Sequence, residues 1–293
     1  MNILISGGTG NVGKILIPLI KQSGHECYIL TRSPKSKNDI FWNPTTGEGE
    51  LPDGIEMNAV VHLAGYSVSN KWTKKNKQEM VDSRLQSTEL LKKMLLAKKA
   101  ENIIWIQASA IGIYNNTQEW QDETSAHGKG FLAQLTSDWE QAIFEHPISW
   151  RKVTLRIGVV MDKASGALPA MMPVFKLGLG SGLGSGKQWM SWIGIEDLAR
   201  MILFAINNNN LQGTYNAVAP VPVDNNAFSK LLSQSLKRPF WLPNVPAFVL
   251  KLLVGEMASM VLNSQRISSK KIQDAGFDFK YKTLDQQFQA IFP

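Results

Sequence analysis

The 293-residue sequence predicts an α/β protein. It reads as a doubly wound parallel sheet on residues 1–220 and a small, mostly helical C-terminal module on residues 221–293. Three observations carry this. Short apolar runs alternate with longer stretches of helical apolar spacing through residues 1–220. The first run ends in a glycine turn that opens a helix. From Pro220 the texture changes, and Pro239, Pro243 and Pro246 punctuate helical pieces.

Asn2–Ser6 (NILIS) reads as a buried strand, and residues 12–22 have the spacing of a helix. Between them stand Gly7, Gly10 and Gly13. Strand, glycine turn and helix N-terminus together make an anion site. Backbone N–H groups and the positive end of the helix dipole point across the turn, and small residues admit a pyrophosphate. Gly7, Thr9, Gly10, Asn11, Val12 and Gly13 are the expected dinucleotide-binding residues.

Glu26–Thr31 (ECYILT) is the second strand. NAD-binding proteins usually place Asp or Glu about twenty residues beyond the glycines, for the ribose 2′-OH. Here that place holds Thr31, Arg32, Ser33, Pro34 and Lys35. A carboxylate would repel a 2′-phosphate, whereas a guanidinium forks onto one. Arg32 therefore points to NADP as the cofactor, with NADPH preferred over NADH.

Residues 39–42 form a weak third strand. Residues 59–63 (AVVHL) form a buried one, ending in Ala64 and Gly65. These small residues suit packing under the cofactor, so Leu63, Ala64 and Gly65 join the expected contacts. His62, in an apolar run with no acid or cysteine beside it, reads as a satisfied core histidine. Residues 75–99 read as a long helix, with Met80, Leu90, Leu91, Met94 and Leu95 in register. Arg84, in its first half, faces either the cofactor cleft or water.

Residues 103–107 are the next strand, and residues 108–114 (ASAIGIY) follow it. Ligands of parallel sheets bind beyond the carboxyl ends of the strands. Ser109 and Tyr114 are thus the candidate catalytic residues, and Ser109 is also a candidate cofactor contact. Residues 131–145 read as a helix with Phe131, Leu135, Trp139 and Ile143 on one stripe. Residues 152–160 are a sixth strand carrying Arg156. Residues 161–192 read as irregular and glycine-rich, contributing to the substrate region. For its glycine-rich part, residues 178–188, a loop closing over substrate and a plain surface loop are equally suited.

Gly184, Gly186 and Lys187 imitate a nucleoside-triphosphate loop. Ser181 and Gln188 stand where that motif needs glycine and Ser or Thr, so it is rejected. Residues 196–206 are helical and residues 213–219 form a last strand. Beyond it, residues 223–226 (VDNN) look like a helix N-cap before residues 227–236. Residues 247–262, residues 268–275 closed by Gly276, and Leu284–Ile291 read as further helices.

The composition, 44% hydrophobic and 19% charged, is that of a folded protein. Cys27 is the one cysteine, which excludes an intrachain disulfide and suits a reducing, cytoplasmic setting. No secretory leader is expected. No apolar run reaches the roughly 18–20 residues of a membrane span. The greasiest piece, Ala247–Val254, is less than half that length. The net charge of +7 is scattered. Its densest cluster, Lys71, Lys74, Lys75 and Lys77, reads as a solvated helix start. The expected partner is a small anionic molecule rather than nucleic acid or membrane, and no metal is expected.

With these residues in view, the chain resembles the extended short-chain dehydrogenase/reductase superfamily, and within it the NAD(P)-binding, epimerase-like group with a C-terminal helical module. The resemblance covers nearly the whole chain. It rests on residues 7–13 (GGTGNVG), 62–65 (HLAG), 82–84 (DSR), 109–114 (SAIGIY), 186–193 (GKQWMSWI) and 196–198 (EDL). In the tail it rests on 255–257 (GEM) and 275–277 (AGF). It implies a Rossmann sheet of about seven strands and epimerisation or ketone reduction, with a sugar nucleotide as one possible substrate. Pairing through the two long helices into a homodimer is also implied.

One departure matters. Enzymes of that superfamily use Tyr-x-x-x-Lys with a nearby Ser or Thr, the lysine lowering the tyrosine pKa so that it moves a proton. This sequence contains no Tyr-x-x-x-Lys, and Phe131 and Leu135 occupy roughly those positions. Two functions follow. One is an NADP-dependent oxidoreductase or epimerase with Tyr114 as a displaced phenol, Ser109 as carbonyl hydrogen-bonder and Arg156 or Lys129 as helper. The other is a dinucleotide-binding protein with little or no turnover.

Overall fold

The computed structural model describes residues 1–144 and 149–293. The chain runs β1 (Asn2–Ser6), α1 (Asn11–Gln22), β2 (Glu26–Thr31), β3 (Asp39–Asn43), β4 (Glu48–Gly49), β5 (Ala59–His62) and α2 (Lys74–Ala97). Then come β6 (Ile104–Ala110), β7 (Trp120–Gln121), α3 (Phe131–Phe144), β8 (Arg151–Ile157), β9 (Val159–Met161) and α4 (Ala167–Lys176). They are followed by β10 (Trp189–Met190), β11 (Trp192–Gly194), α5 (Ile195–Asn207), β12 (Gly213–Ala217), β13 (Val223–Asp224) and α6 (Asn225–Ser235). The last are α7 (Ala247–Val254), α8 (Ser259–Leu262), β14 (Arg266–Ile267), α9 (Lys270–Asp274) and α10 (Leu284–Ile291).

The central sheet has the order β12-β8-β6-β5-β1-β2-β3-β4. Seven of its strands are parallel, and β4 closes the edge antiparallel to β3. This is the predicted doubly wound Rossmann fold. The chain builds outward from β1 to β4, then returns to lay β5 on the other side of β1. That reversal opens a crevice beyond the ends of β1 and β5, the usual ligand site of such sheets.

Strand alternation explains the layers. Ile3 and Ile5 point into one core, with Leu16 and Ile20 of α1 and Leu198 and Ile202 of α5. Leu4 and Val60 point into the opposite core, with Leu91, Met94 and Leu95 of α2 and the indoles of Trp105 and Trp150. Both faces are covered, so the parallel strands read as continuous apolar runs. A third core joins Trp192, Phe228, Leu232 and Phe288, where α6 and α10 meet.

Several boundaries differ from the expectation for physical reasons. The strand expected over 152–160 breaks at Gly158, where a Cβ would lie 2.7 Å from the Ser191 carbonyl oxygen. β8 stays in the central sheet while β9 pairs with β11. The stretch 161–192 is not wholly irregular, because α4 buries Leu168 and Phe175 despite carrying Pro173. The helix expected over 247–262 is cut at Gly255, where φ is +61°. The predicted end of the α3 helix at Glu145 lies outside the described residues.

Candidate functional site

β1 delivers the chain to the crevice, and Gly7 turns it with φ +73°. A Cβ on Gly13 would lie 2.3 Å from the Gly8 carbonyl oxygen, and one on Gly7 would lie 3.0 Å from the Ala64 nitrogen. The turn is pressed against its own helix and against the end of β5, so these positions require glycine. Gly10 is the N-cap of α1, and no side chain caps the first turn. The N–H groups of that turn are therefore free to meet an anion. Thr9, Gly10 and Asn11 are exposed there, and Val12 is half-buried. The turn fits the pyrophosphate of a dinucleotide.

Arg32 follows β2 and is exposed. Among the described residues no carboxylate pairs with it. The nearby acid, Asp39, is already engaged. It accepts hydrogen bonds from the Lys35 and Ser36 backbone at 2.8 and 3.0 Å and from Ser36 Oγ at 2.8 Å. The bond from the Lys35 backbone, then that from the Ser36 hydroxyl, hold its carboxyl below the usual carboxylate range. Asp39 shapes the turn and leaves Arg32 unopposed.

At the end of β5, His62 is the satisfied core residue expected. Its Nδ1 lies 2.5 Å from Ser6 Oγ. Its Nε2 lies 3.1 Å from Ser87 Oγ and 3.2 Å from Thr88 Oγ1. Burial, with a contribution from the charge of Arg84, pushes its pKa down from 6.5 to about 3. The imidazole is neutral when folded and binds a proton more readily when unfolded. Its contribution to stability is therefore complete above pH 6.5 and is lost as pH falls from 6.5 toward 3. We expect about 1.4 kcal/mol of lost stability per pH unit in that window. Urea melts at stepped pH check this: H62Q should lose that part of the slope, and an unchanged slope would contradict it.

Arg84 stands in the wall behind Gly65. A Cβ on Gly65 would lie 3.2 Å from its guanidinium carbon. Nη1 donates to the Tyr66 carbonyl at 3.0 Å and the Met80 carbonyl at 2.9 Å, and the guanidinium stacks 4.9 Å from the Trp139 ring centroid. Burial lowers its pKa to about 10, still high enough to keep it charged at neutral pH. No carboxylate pairs with it among the described residues. Leu63, Ala64 and Gly65 thus line the crevice between the glycine turn and a cation.

Ser109 and Tyr114 come together at the end of β6, but with their polar atoms turned to protein. Ser109 Oγ donates to Glu140 Oε1 at 2.5 Å. Arg156 forks onto Glu140 with bonds of 2.9 and 2.8 Å. Arg156 also donates to Tyr114 Oη at 2.9 Å, and that hydroxyl donates to Asn216 Oδ1 at 2.6 Å. Burial would lower the pKa of Arg156, but the bonds to Glu140 outweigh it and hold the value above ordinary. Burial pushes the Tyr114 phenol up to about 12, with Arg156 opposing in part. Tyr114 therefore stays protonated at neutral pH, a poor base. Lys129 is exposed and makes no hydrogen bond or ion pair among the described residues.

Sequence reasoning missed Glu140. The signal was present: an arginine inside a buried strand needs an acid, and the helix of 131–145 carries Glu140 beside its apolar stripe. The glycine-rich loop is also more firmly held than either reading of it. Gln188 is buried and donates to the carbonyls of Leu183 and Val261 at 2.9 and 3.0 Å. The Leu183 N–H in turn donates to Asn225 Oδ1 at 2.7 Å. These bonds stitch residues 183–188 to the C-terminal part.

A parallel doubly wound sheet with this crevice defines a dinucleotide-binding protein. The chain belongs to the NAD dependent epimerase/dehydratase family, which it matches over residues 3–218. Residues 245–291 match a domain of unknown function, DUF1731. The epimerase family protein YfhF of Bacillus subtilis is 35% identical over 292 residues, covering 97% of this chain and 96% of that protein. A crystal structure of the human epimerase family protein SDR39U1 (isoform 2) with NADPH superposes with a TM-score of 0.90 at 31% identity, covering 99% of each chain. The UDP-N-acetylglucosamine 4-epimerase of Bacillus cereus shares the fold, with a TM-score of 0.76 at 17% identity over 100% of this chain and 99% of that one.

Proposed function

We propose that this protein binds NADP(H), preferring NADPH, and acts as an epimerase- or reductase-type protein on a sugar nucleotide or small carbonyl substrate. The observation that carries the reading is Arg32, exposed and unopposed at the end of β2, beside a glycine turn fit for pyrophosphate. The similar human protein, described with NADPH, supports it. In this reading the N–H groups of Asn11, Val12 and Gly13, in the first turn of α1, hold the pyrophosphate, and Arg32 forks onto the 2′-phosphate. Leu63, Ala64 and Gly65 pack against the nucleoside, with the charge of Arg84 behind them. Bound NADPH would supply a hydride from its nicotinamide. Ser109 lies at the end of β6, where a cofactor or substrate carbonyl would approach. The cytoplasm is the proposed compartment, and pairing through α2 and α3 the proposed assembly.

A second reading, NADPH holding with little turnover, is favoured by one observation. The proton-bearing atoms of Ser109 and Tyr114 are committed to Glu140 and Asn216, in a chain whose family resemblance puts Phe131 and Leu135 at roughly the positions of the tyrosine and lysine. Nicotinamide fluorescence on titration with NADPH tests the cofactor. R32D should weaken NADPH by at least about tenfold while sparing NADH, since it exchanges a charge-assisted fork for repulsion. Affinities of the variant for the two cofactors unchanged from wild type would remove the assignment of Arg32. Oxidation of NADPH across sugar nucleotides and small carbonyls separates the two readings. Binding without oxidation favours the second.

A further inference from the structure

Helix α7, AFVLKLLV, is nearly all apolar, yet none of its residues is buried. Phe248 is 72% exposed, Leu252 84% and Leu253 73%. Large side chains left in water in one run mark a surface that meets something. The apolar area extends beyond the helix. The Gly184 N–H donates to the Val245 carbonyl at 2.8 Å, and the Val245 N–H to the Gly182 carbonyl at 2.9 Å. Pro239 lies 3.7 Å from where a Cβ on Gly178 would be. Residues 239–246 therefore run beside residues 178–184, and Trp241, 70% exposed, stands on the first of these segments while Leu177, 75% exposed, immediately precedes the second.

Charge decides what covers this face. From Asn225 to Gly255 the chain carries Lys230, Lys237, Arg238 and Lys251 and no Asp or Glu; the acid that follows, Glu256, is ion-paired with Lys77. Residues 163–195 also lack acids, and Lys176 stands beside Leu177. Lys176, Lys237, Arg238 and Lys251 are exposed, and none is ion-paired among the described residues. A second copy docked on the same face would set these cations against themselves.

We infer that α7 and the adjoining Trp241 dock the protein on the surface of an anionic lipid bilayer. The helix lies in the plane of the interface, with Phe248, Leu252 and Leu253 entering the boundary between headgroups and acyl chains. Trp241 sits at headgroup level, and the cations meet lipid phosphates. Its 8 residues are too few to span, but a helix lying flat does not need to span. The inference amends the expectation of no membrane partner and stands independently of the cofactor reading.

Co-sedimentation of the full-length protein with vesicles tests it. Vesicles of mixed phosphatidylcholine and phosphatidylglycerol should carry the protein down and shift tryptophan emission to the blue. Pure phosphatidylcholine vesicles, or high salt, should lower binding about tenfold or more. L252E/L253E changes side chains that no core holds. It should keep the wild-type circular dichroism spectrum and melting temperature, as a check of fold, and lose vesicle binding by a similar factor. Failure to sediment with the anionic vesicles, or a variant that binds them as well as wild type, overturns the inference. A lipid-free dimer in light scattering that L252E/L253E dissolves would also overturn it, by giving the face to a second copy.

Discussion

Replacing Glu140 with alanine will destabilise the protein by about 3–5 kcal/mol, because it leaves a buried guanidinium without its counter-charge. Arg156 and Glu140 are only 5% and 9% exposed at the side chain. The pair also carries Ser109 and Tyr114, so its loss orphans several buried groups at once. The attraction of the pair is offset by the cost of taking both ions out of water, so its net worth is far below its breaking cost. That asymmetry makes the prediction specific. E140A should lower Tm by roughly 5–8 °C, whereas the double variant E140L/R156M should recover most of the loss. Calorimetry on wild type, E140L, R156M and E140L/R156M, with E140A alongside, decides it. A double variant as unstable as E140A would mean that packing around the pair, rather than the stranded charge, sets the cost.

That network also shows why chemistry was harder to read from the sequence than architecture. Short-range rules sufficed for β1, the glycine turn and α1, because each residue there acts on near neighbours. They sufficed for His62 too, whose apolar run forecast burial, although its partners Ser6, Ser87 and Thr88 come from elements far apart in the chain. Ser109 and Tyr114 were placed by the strand-end rule, which locates a residue but not the direction of its proton. Their direction depends on Glu140 and Asn216, residues 31 and 102 positions away. Helix α4 was hidden by Pro173 and flanking glycines, whose local penalties are outweighed by burial of Leu168 and Phe175. Helix α7 shows the converse: its composition reads as core, and only the tertiary arrangement leaves it in water.

A Gly13→Ala variant should lose affinity for NADPH by about a hundredfold, or nearly 3 kcal/mol, while keeping its fold. The added methyl would sit 2.3 Å from the Gly8 carbonyl oxygen and 2.6 Å from its carbon. Backbone atoms cannot swing aside like the end of a side chain, so α1 and the turn must separate. The displacement falls where N–H groups must converge on a pyrophosphate, and aligned dipoles lose strength quickly when their geometry is disturbed. Gly10→Ala is the graded comparison. Its Cβ would meet the Gly7 carbonyl oxygen at 3.1 Å, so a few tenths of an ångström of relaxation should suffice and affinity should fall far less. Circular dichroism establishes the fold of each variant, and thermal shifts with and without NADPH give the binding. If both alanines weakened NADPH equally, the close approach of α1 to Gly8 would not be what holds the site. If Gly13→Ala bound normally, the cofactor would have to rest elsewhere along the strand ends.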